Sequence, residues 1–101
     1  MTIQVRNIAI PQDQVRAFCK RHFIRKLALF GSVLRTDFRP DSDVDVLVEY
    51  QADANVTYLD MAAQEIELGT MIGHKVDLRE SGELSRYFRD KVVTTAVSLY
   101  E

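Results

Sequence analysis

LALFGSVLRTDFRPDSDVDVLVEY, residues 27–50, sets two apolar runs on either side of a polar segment. The first run, Leu27 to Phe30, reads as a short strand that Gly31-Ser32 breaks. The second, Val44 to Tyr50, is rich in β-branched and apolar residues and reads as another strand. Between them Ser32 can cap a short helix over residues 32–36, and Arg39-Pro40-Asp41 reads as a loop. Asp41, Asp43 and Asp45 crowd the entrance to the second strand. Crowded carboxylates repel, and a charge beside a core costs several kcal/mol unless something neutralises it.

Outward from this stretch the pattern alternates between helix and strand. Pro11 suits a first helical turn, and Val15, Phe18, Cys19 and Phe23 recur at helical spacing, which predicts a helix over residues 11–22. Gln51 to Asn55 is loop-like. Thr57 to Ile72 is the longest helical stretch, with Leu59, Ala62, Ala63, Ile66 and Thr70 on one stripe, and Gly73 as its C-cap. His74 to Arg79 alternates as HKVDLR, a third strand. Ser81-Gly82 turns, Leu84 to about Thr94 reads as an amphipathic helix through Leu84, Tyr87, Phe88 and Val92, and Ala96 to Tyr100 reads as a fourth strand. The order α-β-α-β-α-β-α-β implies an α/β (α+β) fold, a small mixed sheet flanked by helices.

The 101 residues, 47% of them hydrophobic, suffice for one domain, residues 1–101, with a single modest core. A net charge of -2 argues against a stable direct nucleic-acid binder, which usually carries a basic balance. One cysteine, Cys19, permits no intrachain disulfide. No apolar run approaches a membrane span, and MTIQVRNIAI lacks the order of a signal peptide, so a cytoplasmic protein is expected.

Side chains alternate along a strand, so Asp43 and Asp45 point one way while Val44, Val46 and Val48 can join the core. Asp77, flanked by Val76 and Leu78, supplies a third carboxylate if its strand is a neighbour. Two carboxylates on one face suit Mg²⁺, which takes one or two of them together with water and phosphate oxygens. An isolated D-S-D-x-D is more commonly a solvated loop, and Asp41 and Ser42 fit turn and capping roles. A calcium loop fails, because Val46 stands where glycine is needed and Ala52 where a bidentate glutamate is needed. No Gly-Lys-Ser/Thr follows Gly31, which excludes a P-loop.

Glycine at a strand-to-helix turn lets backbone approach a ligand, and the following N–H groups with the Ser32 hydroxyl can hold phosphate oxygens. Ten residues separate Ser32 from Asp43, enough for the turn and the aspartates to lie at the ends of adjacent strands. Arg35 can bind phosphate or pair with Asp37 or Asp41. His22 and His74 belong to no zinc-spaced cluster and read as ordinary surface or strand-edge residues.

Gly31-Ser32, ten residues, then Asp43-Val44-Asp45 resembles the signature of the DNA polymerase β-like nucleotidyltransferases. The fuller run GSxxR…PDSDVDVLV is similar to the minimal nucleotidyltransferases (MNT), small partners of HEPN-domain toxins, and the likeness extends through KVDL to YFRDKVVTTAVSLYE. Many relatives carry glycine after the arginine, where this chain has Thr36, so the Arg35–Asp37 loop departs from the pattern. The resemblance implies the nucleotidyltransferase (polymerase β-like) fold and transfer of AMP from ATP to a hydroxyl. Two Mg²⁺ would be held by Asp43, Asp45 and Asp77, and phosphates by Gly31, Ser32 and Arg35. The acceptor it implies is a Tyr of a HEPN ribonuclease toxin, which the chain would silence as an antitoxin. Alternatives are an antitoxin that blocks its partner by binding alone, and a nucleotidyltransferase acting on a small-molecule hydroxyl. A transcriptional regulator is disfavoured by the acidic balance and the lack of a clear helix-turn-helix.

Overall fold

A computed structural model describes residues 1–83 and 86–101, with the side chains of residues 83, 86–89 and 93 left aside. Four strands form the main sheet: β3 (Ile24–Phe30), β4 (Val44–Tyr50), β5 (Val76–Glu80) and β6 (Val97–Tyr100), in the order β5-β4-β3-β6. β3 runs antiparallel to both β4 and β6, and β4 and β5 are parallel, so the sheet is mixed as expected. The parallel pair needs a crossover, and helix α2 (Tyr58–Ile72) supplies it.

Alternation along the strands builds a core on each face. Leu27 and Leu29 of β3, Val44, Val46 and Val48 of β4, and Val76 and Leu78 of β5 are buried in one apolar cluster. Val15, Phe18 and Cys19 of helix α1 (Gln12–Arg21) and Met61, Leu68 and Ile72 of α2 complete it. The opposite face carries Ala28, Phe30 and Leu47, packed with Val92 of helix α3 (Arg86–Thr95). Each fully buried Val or Leu contributes roughly 1.5–3 kcal/mol, so these strands are fixed by both layers.

Several boundaries differ from the sequence expectations. Residues 2–11 form a hairpin of β1 (Thr2–Val5) and β2 (Ile8–Pro11), where the sequence pattern predicts no element before Pro11. Pro11 therefore closes β2, and α1 begins at Gln12. β3 starts at Ile24 rather than Leu27, because Ile24 is buried and pairs with Tyr50. The short helix expected over residues 32–36 is one 3₁₀ turn, Gly31–Leu34, and no side chain caps it. Leu84, expected to start the following helix, lies outside the described residues, as do the side chains of Tyr87 and Phe88.

The structure sets which way α2 is turned. The stripe Leu59, Ala62, Ala63, Ile66 and Thr70 is exposed, with Leu59 at 83% and Ile66 at 73%. The buried face is Met61, Gln64, Leu68 and Ile72. Apolar residues line both sides of this helix, so periodicity alone could not say which faces inward. Gln64 is buried because the Tyr50 hydroxyl donates to its Oε1 at 2.6 Å, which ties α2 to the end of β4. The ends of α2 are well defined. Thr57 and Asp60 form a capping box, with Asp60 N–H to Thr57 Oγ1 at 3.1 Å and Thr57 N–H to Asp60 Oδ2 at 2.9 Å. Gly73 takes the left-handed conformation (φ 75°) as the expected C-cap.

Candidate active site

Asp45 lies at the centre of the candidate residues. It is the second residue of β4, on the sheet face that carries Leu47 and α3. Its Cα partner in the parallel pair is Asp77, so the two carboxylates project from neighbouring strands toward the same face. Across the antiparallel pair Asp45 stands opposite Phe30, and Gly31 follows at once. A Cβ placed on Gly31 would lie 2.5 Å from Asp45 Oδ2. Gly31 also has φ 76°, a conformation that favours glycine. The Gly-Ser turn and the aspartate pair are thus in direct contact at one end of the sheet.

The electrostatics agree with that geometry. Burial pushes the Asp45 carboxyl up from its ordinary value of 3.8, and the Asp77 and Asp43 carboxylates push it further, while Arg79 and Arg35 oppose them. Asp43 is exposed just ahead of β4, within electrostatic reach of Asp45. Asp77 accepts a hydrogen bond from Arg79 at 3.1 Å. Among the described residues no three His, Cys, Asp or Glu side chains already form a metal-binding cluster. What the structure brings together is the Asp45–Asp77 pair, with Asp43 beside it. The donor set still fits a hard divalent cation: it is all carboxylate oxygen, and mutual repulsion leaves Asp45 short of positive charge.

Ser32 is half-buried in the 3₁₀ turn, and its carbonyl accepts from Arg35 N–H at 3.0 Å. Arg35 is exposed and pairs with Asp37 at 3.5 Å. His22 pairs with Glu67 at 2.9 Å, and the His74 ring lies 5.6 Å from that of Phe38.

Three supporting residues escaped the sequence reading. Asn7, in the turn of the N-terminal hairpin, donates to the carbonyls of Val33 (2.6 Å) and Arg35 (2.9 Å) and so holds the exit of the Gly-Ser turn. Glu65 of α2 accepts from Leu78 N–H at 2.7 Å, covering part of the open edge of β5 next to Asp77. Arg79 neutralises part of the acidic charge. For Arg79 the signal was present, because it lies two residues from Asp77 and so on the same strand face. Asn7 and Glu65 act through tertiary contacts that no local pattern marks.

Residues 12–98 match the family model described as nucleotidyltransferase domain. The chain belongs to the nucleotidyltransferase family, and it is an enzyme of the transferase class. It is 27% identical over 79 residues to a Methanocaldococcus jannaschii protein called "Putative protein adenylyltransferase MJ0435", covering 78% of this chain and 83% of that one. A solved structure described as a "putative minimal nucleotidyltransferase" is 32% identical, with a TM-score of 0.70 over 85% of this chain and 86% of the other. Two complexes share the fold at lower identity. A toxin-antitoxin with AMP-PNP has a TM-score of 0.71 at 20% identity, covering 90% of this chain and 73% of the other. A tri-AMPylated Shewanella oneidensis HEPN toxin with its MNT antitoxin has a TM-score of 0.59 at 21% identity, covering 88% and 68%.

Proposed function

We propose that the chain is an MNT antitoxin that transfers AMP from ATP to a tyrosine hydroxyl of a HEPN ribonuclease toxin and thereby neutralises it. The observation that carries this reading is the Asp45–Asp77 register pair with Gly31 packed against Asp45. In the reaction the acceptor oxygen bonds to the α-phosphorus, the bond from that phosphorus to the bridging oxygen breaks, and pyrophosphate leaves. Asp43, Asp45 and Asp77 would hold Mg²⁺, which, when bound, lowers the pKa of the attacking hydroxyl and offsets phosphate charge. Asp77 accepts the hydroxyl proton, directly or through water. The close glycine lets the Gly31-Ser32 backbone and the Ser32 hydroxyl approach the β and γ phosphates. Arg35, already near enough to favour the charged form of Asp45, adds positive charge at the same end.

No helix among the described residues is long and apolar enough to cross a membrane. The deciding experiment is intact-mass measurement of the HEPN protein after incubation with the chain, ATP and Mg²⁺. An added AMP mass with the wild type, absent with Asp45→Asn, is expected. Toxin inhibited without added mass would replace this reading with steric blocking. AMP found only on a small molecule would move the acceptor away from protein.

A further inference from the structure

We infer that the outer face of α2 is the surface on which a partner protein docks, through an apolar helix flanked by lysine or arginine. The inference rests on the partner reading above and adds the place and chemistry of the contact. Among the described residues the exposed large apolar side chains are Met1, Phe23, Tyr58, Leu59 and Ile66, and three of these five lie on α2. Leu59, Ala62, Ala63, Ile66 and Thr70 follow the i, i+3, i+4, i+7, i+11 series of a single helix face, and all are exposed. That face points away from Met61, Gln64 and Leu68, which the core covers. A helix apolar on both sides is ordinarily buried on both. Beside Ala63 a hollow of about 420 Å³, also lined by Phe23 and Val56, offers room for a side chain that the stripe alone would not hold.

Charge selects the occupant. Tyr58–Ile72 contains Asp60, Glu65 and Glu67 and no Lys or Arg, although the chain has 13 of these basic residues. Asp53 adds another acid at the hollow. Arg21 and His22 pair with Glu67, and Lys75 lies beside Ile66 and Thr70, so the acidic excess of this face rests on Asp53, Asp60 and Glu65. Two copies of this chain joined through α2 would set one acidic rim against another, which costs affinity. A helix with basic flanks meets the same rim favourably.

The surface is separate from the site. α2 packs on the sheet face of Val44, Val46 and Val48, whereas Asp45 and Asp77 project from the other. A partner held on α2 therefore leaves the carboxylates uncovered.

The test uses the full chain with its HEPN-domain partner. Binding is measured by calorimetry for the wild type, for Leu59→Glu/Ile66→Glu, and for Ala17→Glu on the exposed face of α1. The double variant should lose at least tenfold in affinity while keeping the wild-type unfolding temperature and unchanged affinity for a fluorescent ATP analogue. Ala17→Glu should bind as the wild type does. Added salt should weaken the wild-type complex, as charge complementarity requires. Full affinity in the double variant overturns the docking surface and leaves the partner reading intact. Salt-independent binding overturns the basic-helix assignment. A wild-type chain that is a dimer by light scattering and becomes monomeric in the double variant overturns it in favour of self-association. No complex with the wild type overturns both this inference and the partner reading.

Discussion

Gly31 and Asp45 occupy a space with room for only one side chain: a methyl group on the glycine would sit 2.5 Å from the aspartate's Oδ2. The same glycine has φ 76°. Any replacement is therefore strained in its own backbone and displaces the carboxylate at the centre of the site. Gly31→Ala is expected to cost about 1–2 kcal/mol of stability from the left-handed conformation. That corresponds to a fall of several degrees in Tm. Nucleotidyl transfer should fall by at least about a hundredfold, since a misplaced reacting group is that costly. Differential scanning fluorimetry and the intact-mass assay check the two parts. An unchanged transfer rate would show that the turn does not support the carboxylate.

Removing the charge of Asp45 should separate stability from activity. Its folded-state pKa is raised above the ordinary 3.8, by burial first and then by Asp77 and Asp43. The sign follows from linkage: above the folded pKa the carboxylate is charged in both states and folding carries the burial penalty. The penalty fades as pH falls through the folded pKa and is gone below 3.8. Without metal, Asp45→Asn should therefore melt a few degrees above the wild type at pH 7–8, with the gap closing in acid. Transfer activity should be lost at every pH. Melting curves across a pH series test this. A gap that widens in acid would refute it.

Thr57→Ala should weaken α2 at its start. The hydroxyl satisfies Asp60 N–H at 3.1 Å, and loss of such a cap costs about 1 kcal/mol. Thr57 is exposed, so no cavity adds to the cost. Urea denaturation should show a lower midpoint with an unchanged slope.

Cys19 should behave as core rather than as a reactive thiol. It is fully buried, and burial pushes its pKa up to about 12. The thiolate is the reactive form, so labelling by a disulfide reagent at pH 8 should be slow in the native state and rapid in urea. Fast native labelling would mean that α1 opens far more readily than its packing suggests.

The readable parts of the chain were those where local chemistry and burial agree. Val44, Val46 and Val48 alternate with Asp43, Asp45 and Leu47, and the register then places Asp77 beside Asp45. The N-terminal hairpin was missed because its four-residue strands are short and Pro11 resembles a helix start. The rotation of α2 was not legible because both of its sides are apolar; the Tyr50–Gln64 and Leu78–Glu65 hydrogen bonds and the packing of Met61, Leu68 and Ile72 set it. Asn7 and Glu65 reach the site from segments far away in sequence, by contacts that exist only once the chain has folded.

The reciprocal Thr57–Asp60 bonds and the left-handed Gly73 fix both termini of α2 before anything touches it. Its outer residues are thus held at set spacing on a rigid rod. A visiting protein meets a finished template and loses little disorder in this chain on association, so the entropic toll of recognition falls mainly on the visitor.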